Sequence, residues 1–184
     1  MSNSMVKIVL TGPESTGKTT LTEGLAKHYN CSWIPEYART YIEQLDRPYQ
    51  QSDLSAIARG QLALEKQAST KDPELMICDT DLLTIKIWSE YKYGNCDPWI
   101  LEQIHAHPCD WYFLCAPDIP WEPDPQREHP APEQRQLLLE IYETTLRALD
   151  RGFSMLSGTR EIRQQKAIDQ IDSLLAGLAY NRFF

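Results

Sequence analysis

The chain has no surplus of positive charge. Its 184 residues carry 18 Lys and Arg against 26 Asp and Glu, a net charge of −8. Nucleic acids and anionic membrane surfaces are held mainly through clustered basic side chains, so neither is an expected partner. Long apolar runs are missing too. No stretch reaches the ~20 apolar residues that cross a bilayer. Residues 1–6 lack a basic segment followed by a long apolar run, so no leader is expected and the reading is of a cytoplasmic protein. No Cys-x-x-Cys pair occurs among the five cysteines, whose number is odd. Cys31, Cys78 and Cys115 lie in apolar, strand-like runs, where a free thiol packs as a small hydrophobe. That pattern suits reduced cysteines rather than a disulfide framework. With 42% hydrophobic and 24% charged residues, the composition is that of a globular protein, and the length suits one domain spanning residues 1–184.

Against this background one stretch stands out. Gly12-Pro13-Glu14-Ser15-Thr16-Gly17-Lys18-Thr19 fits G-x-x-x-x-G-K-[ST], the phosphate-binding loop pattern. An apolar run at residues 6–10 reads as a buried strand before it, and residues 18–29 read as a helix after it. Gly12 and Gly17 let the backbone curl so that successive N–H groups face inward, and the start of the helix adds its positive end. Gly12 to Thr20 are therefore expected to bind the phosphates of ATP. Within that loop Lys18 serves the β- and γ-phosphates, and the Thr19 hydroxyl ligates Mg²⁺. A guanine-nucleotide switch is disfavoured, because the chain has no Asn-Lys-x-Asp and no Asp-x-x-Gly after the third strand.

Further along, apolar strand-like runs alternate with helical ones. Strands are predicted at 31–34, 75–79, 111–115 and 153–156. Helices are predicted from Glu36 to about residue 45, then over 53–70, 81–93, 98–105, 133–149 and 160–178. Five short apolar strands separated by helices imply a parallel sheet covered on both faces, with right-handed crossovers. The segment from Pro117 to Pro132 holds six prolines, cannot be regular over its length, and reads as a lid over roughly 117–135.

In such sheets ligands bind at the C-terminal strand ends, and the polar groups of interest cluster there by sequence. Asp79 ends the third strand and is the expected Mg²⁺ partner; its bland alternative, a helix N-cap, fits Asp81 better. Glu36 follows the second strand and is the candidate general base or acceptor-binding group, the alternative being a first-turn Glu favoured by the helix dipole. Arg39, one turn on, could bind phosphate or pair with Glu36 or Glu43. Arg127 in the lid and Arg135 at the next helix are candidates to stabilise the γ-phosphate, against a reading as solvated surface charge. Arg160 follows the fifth strand and joins the nucleotide-binding set. Trp121 either packs the lid down or stacks on a ligand ring. His105 and His107 read as surface residues.

The runs GPESTGKTTL (12–21), EYAR (36–39), ICDTD (77–81), PDIPW (117–121) and DPQRE (124–128) together resemble the ribosylnicotinamide kinase domain of bacterial NAD-metabolism proteins, a P-loop kinase and AAA-type ATPase-like domain. The resemblance runs through nearly the whole chain. It implies a P-loop NTPase sheet of order 2-3-1-4-5, ATP and Mg²⁺ as requirements, and transfer of phosphate to the 5′-hydroxyl of nicotinamide riboside, giving nicotinamide mononucleotide. It also places Lys18, Glu36, Asp79 and Arg127 at catalytic positions. The chain departs from the family pattern at Pro35, where some members have an aromatic, and at Asp124-Pro125, where members often have Asp-Gly. No His-x-Gly-His signature is present, so no adenylyltransferase activity is expected. The alternatives are a kinase of another nucleoside or metabolite, or a nucleotide-sensing ATPase module without an acceptor.

Overall fold

A computed structural model describes residues 5–71 and 73–181. Residues 1–4, most of the stretch inspected for a leader, lie outside the described residues. The predicted alternation is present: β1 (Val6–Thr11), α1 (Lys18–His28), β2 (Trp33–Ile34), α2 (Tyr37–Glu43), α3 (Gln51–Ser69), β3 (Leu75–Asp79), α4 (Leu82–Tyr93), α5 (Pro98–Ala106), β4 (Trp111–Cys115), α6 (Pro132–Ala148), β5 (Phe153–Leu156) and α7 (Arg160–Asn181). All five strands are parallel, in the order β2-β3-β1-β4-β5. The second strand is two residues shorter than expected, since Cys31 and Ser32 precede it without ladder pairing.

Every residue of β1 is buried, as a central strand covered on both faces requires. Its alternate side chains separate two cores. Val6, Ile8 and Leu10 pack with Leu21, Leu25, Phe113, Ile168 and Ile171, the layer under α1 and α7. Val9 packs on the opposite face with Met76, Cys78, Leu83, Tyr112, Leu139 and Leu146, under α4 and α6. Lys7 shares that second face, where its ammonium lies 2.5 Å from the buried Glu65 carboxylate of α3. A third cluster joins α2, α3, α4 and α5 through Ala38, Leu54, Ile57, Ile85 and Ile100, and so fixes α2 beside the end of β2.

Helix starts follow their local chemistry. Asp81 caps α4 by accepting the Leu83 N–H at 3.0 Å, and Asp97 caps α5 with Pro98 at its first position. Gly94, at φ 76, ends α4 in the left-handed conformation. Among the described residues no helix is long and apolar enough to cross a membrane.

Candidate active site

The C-terminal edge of the sheet opens into a cavity of about 320 Å³. Its floor is the glycine-bearing loop between β1 and α1. Gly12 has φ 128, and a Cβ there would stand 2.7 Å from the Cys115 carbonyl at the end of β4; Gly17 has φ 77. Both demands are met by glycine alone at no cost. The Lys18 ammonium donates to the Gly12 and Pro13 carbonyls at 3.0 and 2.8 Å. Gly12, Pro13, Glu14, Ser15, Thr16, Gly17, Lys18, Thr19 and Thr20 all line the cavity, as expected for the phosphate cradle.

Two arginines outside the loop shape it. Arg135 donates to the Ser15 carbonyl at 3.0 Å, and Arg163 donates to the Thr16 carbonyl at 2.9 Å. In a trans peptide the C=O and the following N–H point in opposite directions. The arginines therefore turn the N–H groups of Thr16 and Gly17 away from themselves. Arg135, read from sequence as a γ-phosphate ligand, is 4% exposed and is not among the cavity-lining residues. Its guanidinium is committed to the loop and to the Ile119 carbonyl. Arg163 was not singled out in the sequence at all. It also donates to the Gly158 and Ala116 carbonyls and to Asp118. No motif marks it; only its place one turn into the helix after β5 could have suggested it.

Asp79 ends β3 beside Thr19, whose hydroxyl donates to Asp79 Oδ2 at 2.5 Å. Asp79 Oδ1 is buried without a hydrogen-bond partner. A buried, unpartnered carboxylate oxygen next to a hydroxyl is a hard-oxygen donor set, which fits Mg²⁺ coordinated in addition by phosphate and water. Burial raises the Asp79 pKa above the ordinary carboxylate value, opposed by the Thr19 hydrogen bond and the Lys18 charge. The next residue, Thr80, has φ 66, an outlier for a β-branched residue. That turn sends Asp79 to the phosphate loop while Asp81 faces Tyr112, whose hydroxyl donates to it at 2.6 Å.

Glu36 lines the same cavity as the loop. It occupies the N-cap position of α2, yet its side chain caps nothing. Capping therefore does not account for it, and the favourable place of a carboxylate at a helix start stands beside its position in the cavity. Burial and the Asp79 charge raise its pKa, with Lys18 and Arg39 opposing. Arg39 also lines the cavity, but pairs with the lid residue Asp124 at 3.0 Å rather than with Glu36 or Glu43. The cavity also has aromatic lining that the sequence reading did not assemble: Trp88 and Tyr91 of α4, Tyr142 of α6 and His129 of the lid. The Tyr91 and His129 rings meet edge to face at 5.2 Å.

The Pro-rich segment is folded down onto the loop. Glu14 Oε2 accepts the N–H groups of Glu128 and His129 at 2.9 and 3.0 Å, and Ser15 Oγ accepts the Glu122 N–H at 2.9 Å. Arg127 lines the cavity and donates to Ser15 Oγ at 3.3 Å and to the Glu122 carbonyl. The Trp121 ring lies 5.8 and 5.7 Å from the central guanidinium carbons of Arg127 and Arg135. It is absent from the cavity lining. Arg160 is exposed and lines the cavity beside α1. His105 and His107 are exposed, away from the cavity.

A family described as an AAA domain matches residues 7–163. The chain belongs to that AAA domain family. Among curated relatives, this AAA domain is 27% identical over 146 residues to the trifunctional NAD biosynthesis/regulator protein NadR of Escherichia coli strain K12, a match covering 74% of the chain and 35% of NadR. The corresponding protein of Salmonella typhimurium is 27% identical over 121 residues, covering 64% of the chain and 30% of the relative. The chain thus spans about a third of the length of these relatives. Among solved structures, NadR in complex with NAD and AMP-PNP superposes with a TM-score of 0.75 at 22% identity, over 94% of this chain and 50% of that one. NadR in complex with NR gives 0.69 at 22% identity, over 92% and 51%. A thymidylate kinase from Ehrlichia chaffeensis gives 0.63 at 14% identity, over 92% and 99%. At these identities the structural likeness shows the fold alone: an α/β domain on a five-stranded parallel sheet of order 2-3-1-4-5.

Proposed function

We propose that this domain is an ATP- and Mg²⁺-dependent kinase of a small nucleoside, transferring the γ-phosphoryl group to the 5′-hydroxyl of nicotinamide riboside to give nicotinamide mononucleotide. The observation that carries the reading is Glu36. It is a carboxylate that caps no helix, in the same cavity as Lys18 and Thr19 and close enough to Asp79 to feel its charge. A module that only sensed ATP would have no use for a base there. Trp88, Tyr91 and Tyr142 line the same cavity and suit a flat heteroaromatic acceptor. The matches to NadR, solved with NR and with AMP-PNP, support the same choice of ligands.

Phosphoryl transfer needs alignment and charge neutralisation more than covalent chemistry. The loop N–H groups and Lys18 hold the triphosphate, and Lys18 and Arg127 face the charge that grows on the transferred group. Thr19 and Asp79 would hold Mg²⁺, which supplies charge neutralisation across the phosphate oxygens when bound. Glu36, ionised, accepts the hydroxyl proton as the acceptor oxygen attacks the γ-phosphorus and the bond to the leaving ADP oxygen breaks. The lid, seated on Glu14 and Ser15, excludes water as a competing acceptor.

The test is ATP consumption with nicotinamide riboside and a panel of nucleosides and nucleoside monophosphates, with products identified by mass. Nicotinamide mononucleotide as the preferred product is expected. Preference for another acceptor would overturn the substrate assignment, and hydrolysis independent of any acceptor would overturn the kinase assignment. Lys18→Ala is expected to lose turnover while keeping the fold by circular dichroism.

A further inference from the structure

Helix α2 is seven residues long and carries Glu36, Ala38, Arg39 and Ile42 of the cavity wall. So short a helix is not stable by itself, and the residue at its N-cap gives it no side-chain cap. Something else must hold it. The backbone N–H of Tyr37, the first helical residue, donates to Gln61 Oε1 of α3 at 2.9 Å. Gln61 is 2% exposed and lies outside the cavity lining. Its Nε2 is buried without a partner, so the amide is held there by what its oxygen accepts. One residue earlier, Gly60 lies under the Tyr37 ring. A Cβ on Gly60 would overlap ring carbons Cε1, Cδ1 and Cζ of Tyr37. Gly60 has ordinary helical φ, so no turn requires glycine there. A glycine inside a helix costs about 1 kcal/mol relative to alanine, and here the ring contact accounts for it.

We propose that Gly60 and Gln61 are positioning residues for Glu36: Gly60 admits the Tyr37 ring against α3, Gln61 supplies the missing cap of α2, and together they fix the carboxylate relative to the phosphate loop. The inference rests on the kinase reading above. Neither residue touches the cavity, so neither acts on ATP directly. Displacing Glu36 by a fraction of an ångström should slow transfer without weakening nucleotide binding.

The experiment measures kcat and KM for ATP and acceptor in the full chain, with ATP affinity from fluorescent-nucleotide titration. Absence of acceptor phosphorylation by the wild-type chain would overturn the kinase reading and, with it, the positioning role; the variants bear on the positioning proposal once the wild type turns over. Gly60→Ala is expected to lower kcat by about tenfold or more, as misplacement of a reacting group does, with KM for ATP within about twofold. In a Tyr37→Ala background, where the ring is gone, the same substitution should cost little, a non-additivity that reports the contact. Gln61→Leu, which leaves the Tyr37 N–H without an acceptor, should lower kcat similarly. Gln61→Glu keeps an acceptor oxygen but puts a carboxyl oxygen where the unpartnered Nε2 stands, at the cost of a buried ionisable group, and should retain clearly more kcat than Gln61→Leu. Equal cost of Gly60→Ala in both backgrounds, or wild-type kcat in Gly60→Ala and Gln61→Leu, would overturn the proposal. If Gly60→Ala does not fold, the Gln61 pair decides by the same criteria.

Discussion

Glu36 is placed at a cost. Burial and the neighbouring Asp79 raise its pKa above the ordinary carboxylate value, so the folded chain binds this proton more tightly than the unfolded chain does. Stability then falls as pH rises from the ordinary value through the raised one. Glu36→Gln removes the charge and keeps the shape. The variant should melt higher than the parent at neutral pH, and the gain should shrink as pH drops towards about 4.3, the unperturbed glutamate value; calorimetry or thermal melts across pH check this. Activity moves the other way. As the base, Glu36 must be ionised, so parental turnover should decline as pH falls through its raised pKa. Glu36→Gln should lose about 10²–10⁴ in kcat, the range of a general base. Full activity in Glu36→Gln would remove the base assignment. Both carboxylates of the candidate site could be picked out in the sequence, Asp79 because it ends an apolar run and Glu36 because it follows one. The left-handed Thr80 was not, because nothing in a Thr side chain announces the strain that the surrounding sheet imposes on it.

At the scale of elements, the lid is held by two sets of contacts that meet at Glu128. The backbone N–H groups of Glu122, Glu128 and His129 lie on Ser15 and Glu14 of the loop. The Glu128 side chain is held by Tyr49, in the turn between α2 and α3. The Tyr49 hydroxyl accepts from Trp88 Nε1 at 2.8 Å and from the Lys92 ammonium at 2.5 Å, and lies 3.1 Å from both Glu128 oxygens. Burial raises the phenol to about 12, so it stays neutral and donates to Glu128. Tyr49 thus ties a lid residue to Trp88 in the cavity wall. Tyr49→Phe should loosen both, costing about 1 kcal/mol for the lost hydrogen bonding. Acceptor KM is expected to rise several-fold with ATP affinity unchanged, and amide exchange over residues 121–129 should accelerate; unchanged exchange would show that the loop contacts alone hold the lid. Proline content disclosed this segment as irregular, but not where it docks, because its partners come from several elements far apart in the chain.

Over the whole molecule, the strand pattern and the glycine spacing were readable because they are local: period, length and turn chemistry are written within a dozen residues. The sheet order was implied by family resemblance rather than by spacing, and the structure has that order. What the sequence concealed is how the strand ends are tied together, since that is a matter of non-local geometry. Arg163 makes the point. From the first turn of α7 its 4%-exposed side chain donates to the Thr16 carbonyl in the phosphate loop, the Ala116 carbonyl after β4, Asp118 at the root of the lid and the Gly158 carbonyl after β5. One guanidinium thus satisfies acceptors from three strand ends, a use its fixed fork of five donors suits and a lysine could not reproduce. Removing it would strand the buried Thr16 and Ala116 carbonyls together. Arg163→Ala should therefore destabilise the fold by about 3 kcal/mol, equivalent to a fall of about 6–12 °C in Tm for a chain of this size. Because the Thr16 carbonyl would lose its anchor, ATP affinity should fall as well. Arg163→Lys should recover only part of either loss. A variant that melted lower but bound ATP like the parent would show that the loop holds its own shape, and that Arg163 serves the sheet edge alone.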